Sequence, residues 1–214
     1  LTQEDSDSGI CLVDIGAGVT SYSVFHEEGI VRSGVIAIGG DEVTQEIAYA
    51  FDTSIEEAKR LKEIYGFAKS SSLNEEKFID FTQSTNKDEH QLSSFELVEV
   101  IEGVYRDIFA LLRNELKHHN LENIIKSGFV LCGGAAEINS IEDLVRDFFS
   151  KRVKIGKIQR ARISGLEAIL TDYRYVGAIG LLLNEGDLRK SELVESNNGK
   201  GVISKLKKVI VGNF

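Results

Sequence analysis

A short apolar run that leads into glycines lies near the start of the sequence. Residues 9–15, GICLVDI, have the composition of a buried β-strand and lead into the glycines of GAG. Apolar and polar residues then alternate loosely from Thr20, turn at EEG and return to the glycine pair after Ile38, as is typical of a β-hairpin. The pattern therefore predicts that a β-meander begins the fold.

Helical periodicity replaces this alternation after the meander. It predicts one helix over residues 41–51 and a second that begins at TSIE and ends at Tyr65. Thr53 and Glu56 have the spacing of a capping box, in which each side chain bonds a backbone N–H of the other residue. We therefore expect this pair to start the second helix.

The longest predicted helix runs from Ser93 to about Asn120. Ser93 and Glu96 have the spacing of a capping box at its start. Its apolar residues recur at spacings of three and four, so one stripe of the helix is expected to face a core. This stripe consists of Leu97, Ile101, Val104, Ile108, Leu111, Leu112 and Leu116.

The other segments alternate between strand and helix. Residues 66–92 are polar and are predicted to be a surface excursion with one edge strand at KFIDF. After the long helix, GFVLC is predicted to be a strand that ends at paired glycines. A helix over residues 140–149, a short strand at RVKIG and a helix over residues 172–184 follow. This order predicts an α/β fold with a mixed sheet.

Charge separates the end of the chain from the rest. The whole sequence has a net charge of −9, and because residues 200–214 hold four lysines and no acid, residues 1–199 carry −13. Such an acidic body lacks the basic surface that phosphates require, so we predict no nucleic-acid partner. Cys11 and Cys132 lie in apolar runs and are expected to be core thiols in a reducing cytoplasm.

The last 14 residues, GVISKLKKVIVGNF, have an amphipathic pattern. As a helix they would be ~21 Å long, which is too short to cross ~30 Å of hydrocarbon but suited to the membrane interface. We predict a tether to an anionic membrane surface; the alternative is a helix that docks on its own domain. The residues expected to contact the membrane are Val202, Ile203, Lys205, Leu206, Lys207, Lys208, Val209, Ile210 and Phe214.

Two glycine turns carry the candidate chemistry. In VDIGAGVTS, a strand delivers Asp14, and Gly16 and Gly18 follow it; in LCGGAAE, Gly133 and Gly134 follow a second strand. Glycine lets backbone N–H groups approach phosphate oxygens, and a nearby carboxylate can hold Mg²⁺ directly or through water. A tight hairpin corner needs the same glycines, so neither turn is specific by itself.

Together and in this order, the turns resemble the second phosphate loop and the adenosine loop of the actin-like ATPase superfamily. SGVIAIGGDEVTQEIAYAF and GFVLCGGAAEI, with YVGAIGLLL further on, are similar to the FtsA family of bacterial cell-division proteins. The resemblance covers residues 1–183 and implies the second lobe of an actin-like, ribonuclease H-like fold. The resemblance also implies that the first lobe is missing. Because the sequence has no methionine and starts with Leu1, we expect the chain to be a fragment.

The resemblance implies ATP and Mg²⁺ as cofactors. The family's phosphate loop usually has three glycines, a threonine and then a threonine–aspartate pair. Here Ala17 replaces the middle glycine, Val19 a threonine and Ser21 the aspartate. Any ATP hydrolysis is therefore expected to be slow, and no catalytic base is assigned. The residues expected to bind the nucleotide are Asp14, Gly16, Gly18, Thr20, Lys62, Gly133, Gly134 and Ala135, with Asp14 facing Mg²⁺.

The resemblance also implies a domain organisation. An inserted subdomain would bind the C-terminal peptide of the tubulin-like protein FtsZ through residues 66–92 and the solvent side of the long helix. The expected divisions are a core subdomain at 1–40 and 122–184, the inserted subdomain at 41–121, a flexible linker at 185–200 and an amphipathic membrane-targeting helix at 201–214.

The implied function is that of a cell-division adaptor. It would bind ATP, self-associate as an actin-like filament and tether FtsZ polymers to the cytoplasmic face of the inner membrane, as a peripheral protein of the septum. Three alternatives remain open at this point: an actin-like adaptor of type IV pilus assembly, an ATPase or sugar kinase of the same superfamily, and a structural fragment that binds no nucleotide.

Overall fold

A five-stranded mixed sheet forms the centre of the lobe. The computed structural model describes residues 5, 7–27, 29–85, 89–156, 175–177 and 180. The strands are β1 (Ile10–Ile15), β2 (Thr20–His26), β3 (Gly29–Ile36), β6 (Gly128–Cys132) and β7 (Val153–Ile155). Their order is β3-β2-β1-β6-β7, in which β1, β2 and β3 are antiparallel neighbours and β1, β6 and β7 are parallel ones. The meander and the mixed α/β sheet are thus confirmed.

Burial along the strands follows their place in the sheet. Every residue of β6 is buried, as expected of a central parallel strand that is covered on both faces. β1 is buried at every position except Leu12 and Asp14, which are partly buried. β3, by contrast, pairs only with β2 among the described strands and is exposed over most of its length.

Helices and a small second sheet complete the described part of the chain. The helices are α1 (Gly40–Ala50), α2 (Ile55–Tyr65), α3 (Ser94–His118) and α4 (Ile141–Phe149). Short 3-10 turns are formed by Ser70–Ser72 and Gly134–Glu137, and the second sheet pairs β4 (Phe78–Thr82) with β5 (Glu89–Ser93). All four helices lie within two residues of their predicted bounds.

The start of α2 differs from the prediction. Ser54, and not Thr53, is the N-cap, and its Oγ accepts a hydrogen bond of 3.1 Å from the N–H of Glu57. Thr53 is buried and donates its hydroxyl to the carbonyl oxygen of Thr82, at 2.6 Å. The predicted pair of Thr53 and Glu56 is therefore wrong: Thr53 lies one residue before the cap and is bonded to the last residue of β4.

The start of α3 confirms the second capping box. The Ser93 side chain accepts from the N–H of Phe95, and the Glu96 carboxylate accepts from the N–H of Ser93 at 3.0 Å. The buried stripe of α3 is wider than predicted and includes Tyr105 and Phe109. Leu111 does not belong to it, since this side chain is 41% exposed.

Residues 66–92 contain more structure than the sequence predicts. KFIDF does become β4, but a second strand, β5, pairs with it in antiparallel register, with Ile79 opposite Leu92. Both of these side chains are buried. The 3-10 turn at Ser70 is tied to α3 because the Glu102 carboxylate accepts a 2.7 Å hydrogen bond from the Ser70 N–H.

One compact unit contains all of these elements. It comprises Leu1–Ile158 and Gly165–Val176. The second unit, Gln159–Ser164 and Gly177–Phe214, lies outside the described residues except for Gly177 and Gly180. The predicted linker and amphipathic helix, and nearly all of the helix predicted at 172–184, therefore fall outside the description. Among the described helices, none combines the length and the apolar character of a membrane span.

Candidate functional site

The two glycine turns lie side by side. β1 and β6 are parallel neighbours with Asp14 opposite Cys132, so the turns that follow them emerge at the same edge of the sheet. Gly133 has a φ of +88°, and a Cβ there would lie 2.3 Å from Asp14 Oδ1 and 2.4 Å from the Ile15 carbonyl oxygen. Only glycine fits this contact without strain.

The first turn exposes its backbone. The Gly16 N–H donates to the carbonyl oxygen of Val19 at 2.9 Å and closes the loop. Among the described residues, the N–H groups of Ala17 and Gly18 have no acceptor, and both residues are exposed. A Cβ at Gly18 would meet nothing within 4 Å. Both donors therefore lie on an exposed loop, as a phosphate loop requires.

The start of α1 forms a third side of the site. The Gly40 N–H donates to the Gly16 carbonyl oxygen at 2.9 Å, and the Asp41 N–H donates to that of Ala17 at 2.7 Å. A Cβ on Gly39 would lie 2.4 Å from the Ala17 oxygen, and one on Gly40 would lie 2.8 Å from the Cβ of Ala135. The glycine pair at 39–40 therefore lets α1 approach both turns. The sequence offered the pair itself but not this role.

Lys62 joins α2 to this arrangement. Its Nζ donates to the Gly40 carbonyl oxygen at 2.8 Å and to Thr44 Oγ1 at 2.6 Å. Burial lowers the pKa of Lys62, while the carboxylates of Asp41 and Glu63 act in the opposite direction. The predicted lysine is thus at the site, and its visible contacts hold the first turn of α1 in place.

Asp14 supplies the carboxylate of the site. It is partly buried beside Gly133, and burial raises the pKa of this carboxyl group. A cation would favour the ionised form. Groups of three or more acids, histidines or cysteines suited to a metal do not occur among the described residues. Asp14 is thus the carboxylate that the two turns share.

Thr20 is separated from the open side of the loop. The residue is fully buried, and its hydroxyl donates to the Ile38 carbonyl oxygen at 2.8 Å. We therefore assign this side chain to the support of the loop rather than to phosphate contact. Tyr105 has a similar supporting role that the sequence did not indicate. Its hydroxyl donates to the Ala135 carbonyl oxygen at 2.6 Å, and burial raises its pKa.

The sheet order and the paired turns define a class of protein. Ligands of α/β proteins bind beyond the carboxyl ends of parallel strands, which is where both turns lie. The lobe is similar to MreB5 of Spiroplasma citri bound to AMPPNP, with a TM-score of 0.66 and 20% identity over 92% of this chain and 57% of that one. It is also similar to the pilus biogenesis complex PilM–PilN, with a TM-score of 0.61 and 17% identity over 85% of this chain and 47% of that one. The lobe has the actin-like fold.

Sequence comparison identifies the family. The model of the family "Cell division protein FtsA" matches residues 11–180. The chain is 30% identical to cell division protein FtsA of Pseudomonas aeruginosa over all of this chain and 53% of that protein. It is 33% identical to the FtsA of Buchnera aphidicola over 85% of this chain and 45% of that protein. The chain belongs to the FtsA family and spans about half the length of these relatives.

Proposed function

We propose that this chain is the second lobe of an actin-like cell-division adaptor that binds ATP with Mg²⁺. The adaptor self-associates and tethers FtsZ polymers to the membrane at the division site. The observation that carries the proposal is the contact of three backbone segments at one edge of the sheet, at Gly16, Gly40 and Gly133. Membership of the FtsA family supports the role in division.

The residues present fit a nucleotide. The N–H groups of Ala17 and Gly18 are available for phosphate oxygens. The backbone of Gly134, which is partly buried and has no side chain, is the surface proposed for the nucleoside. Asp14 would hold Mg²⁺, directly or through water, and the cation would neutralise phosphate charge. Lys62 bonds the first turn of α1 from α2, so its proposed part is to support the cradle.

Binding, rather than rapid hydrolysis, is the proposed activity. We assign Asp14 to Mg²⁺ and no general base to the site, and Lys62 is already bonded to Gly40 and Thr44. A kinase or a fast ATPase is therefore the weaker alternative. The pilus adaptor is also weaker, because the likeness to PilM rests on the fold at 17% identity whereas the FtsA model matches residues 11–180.

The nucleotide proposal can be tested on the chain by amide NMR. Millimolar MgATP should shift the amide signals of residues 16–18 and 133–135, since weak binding is expected of one lobe. Gly18→Val should weaken binding about fivefold or more, because the side chain would fill the space above the free N–H groups. Gly29→Val is the matched control, since a Cβ there also meets nothing within 4 Å. Equal shifts in both variants would contradict the proposed cradle.

Docking of FtsZ is proposed on the inserted subdomain, residues 41–121. Large apolar side chains that are exposed on this subdomain are the proposed contacts for the peptide. They are Tyr49 (86% exposed), Ile55 (56%), Ile64 (60%) and Phe78 (67%), on α1, α2 and β4.

A pull-down with the C-terminal peptide of FtsZ tests the docking proposal. Ile64→Ser and Phe78→Ser should reduce retention of the peptide, because each removes exposed apolar area without touching the core. Val35→Ser is the matched control, since Val35 is 65% exposed on β3, outside the inserted subdomain. If both test variants retain the peptide fully, the peptide does not bind at these side chains. The result is independent of the NMR test of nucleotide binding.

A further inference from the structure

A pocket lies at the end of the lobe opposite the glycine turns. The turn at Gly133 follows the carboxyl end of β6, whereas Phe129, which lines the pocket, lies near its amino end. The cavity has a volume of about 310 Å³. Its walls come from the last turns of α3 and α4 and from the segment that leads into β6. The pocket is therefore separate from the proposed nucleotide site.

The floor of the pocket is apolar and firmly packed. Leu116, Ile125 and Phe129 are almost fully buried, with exposed fractions of 1%, 0% and 1%. The rings of Phe129 and Phe149 lie 4.4 Å apart between centroids, and the Phe148 and Phe149 rings lie 5.1 Å apart. Because these side chains come from separate elements that pack on one another, the floor is preformed.

The rim of the pocket is cationic. The guanidinium carbon of Arg113 lies 4.0 Å from the ring centroid of Phe148 and 5.2 Å from that of Phe149. Within the described part of the chain, no ion pair joins Arg113 or Lys117 to a carboxylate. Lys151 Nζ donates to the Ile125 carbonyl oxygen at 2.8 Å. Three cations thus meet one acid, Glu122, on a body whose net charge is −13 over residues 1–199.

We propose that this pocket binds a short acidic peptide segment of another protein. One large apolar side chain would enter the aromatic floor, and carboxylates beside it would pair with Arg113 and Lys117. A guanidinium stacked on a ring keeps its N–H groups free in a plane, which suits bidentate binding of a carboxylate. The volume is near the lower limit for ligand sites, so it fits one inserted side chain.

Charge favours a peptide over a membrane surface as the occupant. A flat anionic leaflet would also face the acidic body and would be repelled by it, whereas a peptide needs only the pocket and its rim. A flat surface also cannot reach the buried floor formed by Leu116 and Ile125. The occupant is therefore expected to combine an inserted apolar side chain with negative charge on both sides of it.

Fluorescence anisotropy with the full 214-residue chain tests the proposal. The probe is a fluorescein-labelled octapeptide with one phenylalanine among aspartates and glutamates. Binding should become about tenfold weaker in Lys117→Glu and in Arg113→Gln, and should weaken as salt rises. Lys59→Glu is the matched control, because Lys59 is also an exposed helix lysine, 64% exposed, but lies on α2. Melting temperatures check that each variant is folded.

A second peptide, with alanine in place of the phenylalanine, tests the apolar floor. It should bind at least about fivefold more weakly, because the inserted ring is lost. Equal binding of both peptides would mean that only charge is recognised and that no side chain enters the floor, which would overturn the proposal. So would unchanged binding by Lys117→Glu. Binding of anionic vesicles that Arg113→Gln abolishes would assign the pocket to a membrane, and self-association that the same substitution abolishes would assign it to a second copy.

Discussion

Position 133 requires glycine because of its neighbours in space as well as because of its own turn. Its φ of +88° disfavours any residue with a Cβ, and that atom would also press on Asp14 and Ile15 of the adjacent strand. Gly18, in the other turn, has open space around the position of a Cβ. Two glycines with the same sequence signature therefore have different physical roles.

Substitution at Gly133 should measure this difference. Gly133→Ala should lower the free energy of unfolding by roughly 2–4 kcal/mol, because strain at positive φ adds to the backbone clash. Gly18→Ala should cause no loss of stability, since nothing lies within 4 Å of the added methyl group. Urea unfolding followed by circular dichroism gives both values. Equal effects of the two substitutions would contradict the packing of Gly133 against β1.

Asp14 should make the folded state less stable at high pH than at low pH. Burial raises the pKa of Asp14 in the folded state above its value in the unfolded chain. The protonated carboxyl group therefore stabilises the folded state fully at a pH below the unfolded-state pKa, and this stabilisation is lost as the pH rises through the folded-state pKa. Asp14→Asn should therefore be more stable than the natural chain at pH 8, and the difference should shrink at pH 4 or below. Urea unfolding at the two pH values checks this; a difference that does not change with pH would argue against a partly buried carboxylate.

At the scale of elements, α3 is set by a local signal and by its packing. The capping box of Ser93 and Glu96 is a matter of four neighbouring residues, and it forms as the spacing predicts. The buried side of α3 depends on what it packs against. Tyr105 reaches Ala135 in the second glycine turn, and the Phe109 ring lies 6.1 Å from that of Phe148 on α4.

Loss of the cap should destabilise the chain measurably. Ser93→Ala removes the acceptor of the Phe95 N–H and the donor to Glu76, so a loss of about 1–2 kcal/mol is expected. Ser71→Ala serves as the control, because Ser71 is an exposed residue of a 3-10 turn. The midpoints of thermal unfolding, measured by circular dichroism, compare the two. If Ser71→Ala lowers the midpoint of unfolding as much as Ser93→Ala does, the loss of the cap does not explain the destabilisation.

At the scale of the whole molecule, charge is divided between body and tail. Residues 1–199 carry −13, and residues 200–214 carry four lysines and no acid. A body of this charge is repelled by an anionic leaflet, while basic residues next to apolar ones are attracted to it. This division supports the proposal that the chain meets a membrane at its last 14 residues.

Vesicle co-sedimentation should separate the two parts. The full chain should pellet with vesicles that contain phosphatidylglycerol, and a version ending at Asn184 should not. Reversal of Lys205, Lys207 and Lys208 to glutamate should abolish pelleting while leaving the length unchanged, since each lysine near the surface contributes about 1 kcal/mol. Neutral vesicles are the control. Equal pelleting of the full and shortened chains would exclude the tail as the tether.

The sequence by itself determined the features that depend on near neighbours along the chain. The meander, the cap of α3 and the positions of the glycine turns all follow from residues within a few places of one another. Thr53 shows the limit of such reasoning. The sequence predicts that its hydroxyl caps α2, but in the fold this hydroxyl donates to the carbonyl oxygen of Thr82 on β4.

The tertiary structure alone decided which segments meet at the site. Gly16, Gly40 and Gly133 come together because β1 and β6 are neighbours in the sheet and because the Gly40 N–H donates to the Gly16 carbonyl oxygen. It likewise decided that Thr20 faces inward and that Leu111 faces solvent. Local pattern fixes the conformation of a segment, whereas contacts between distant segments depend on strand order and on the close packing of backbones, which the pattern does not encode.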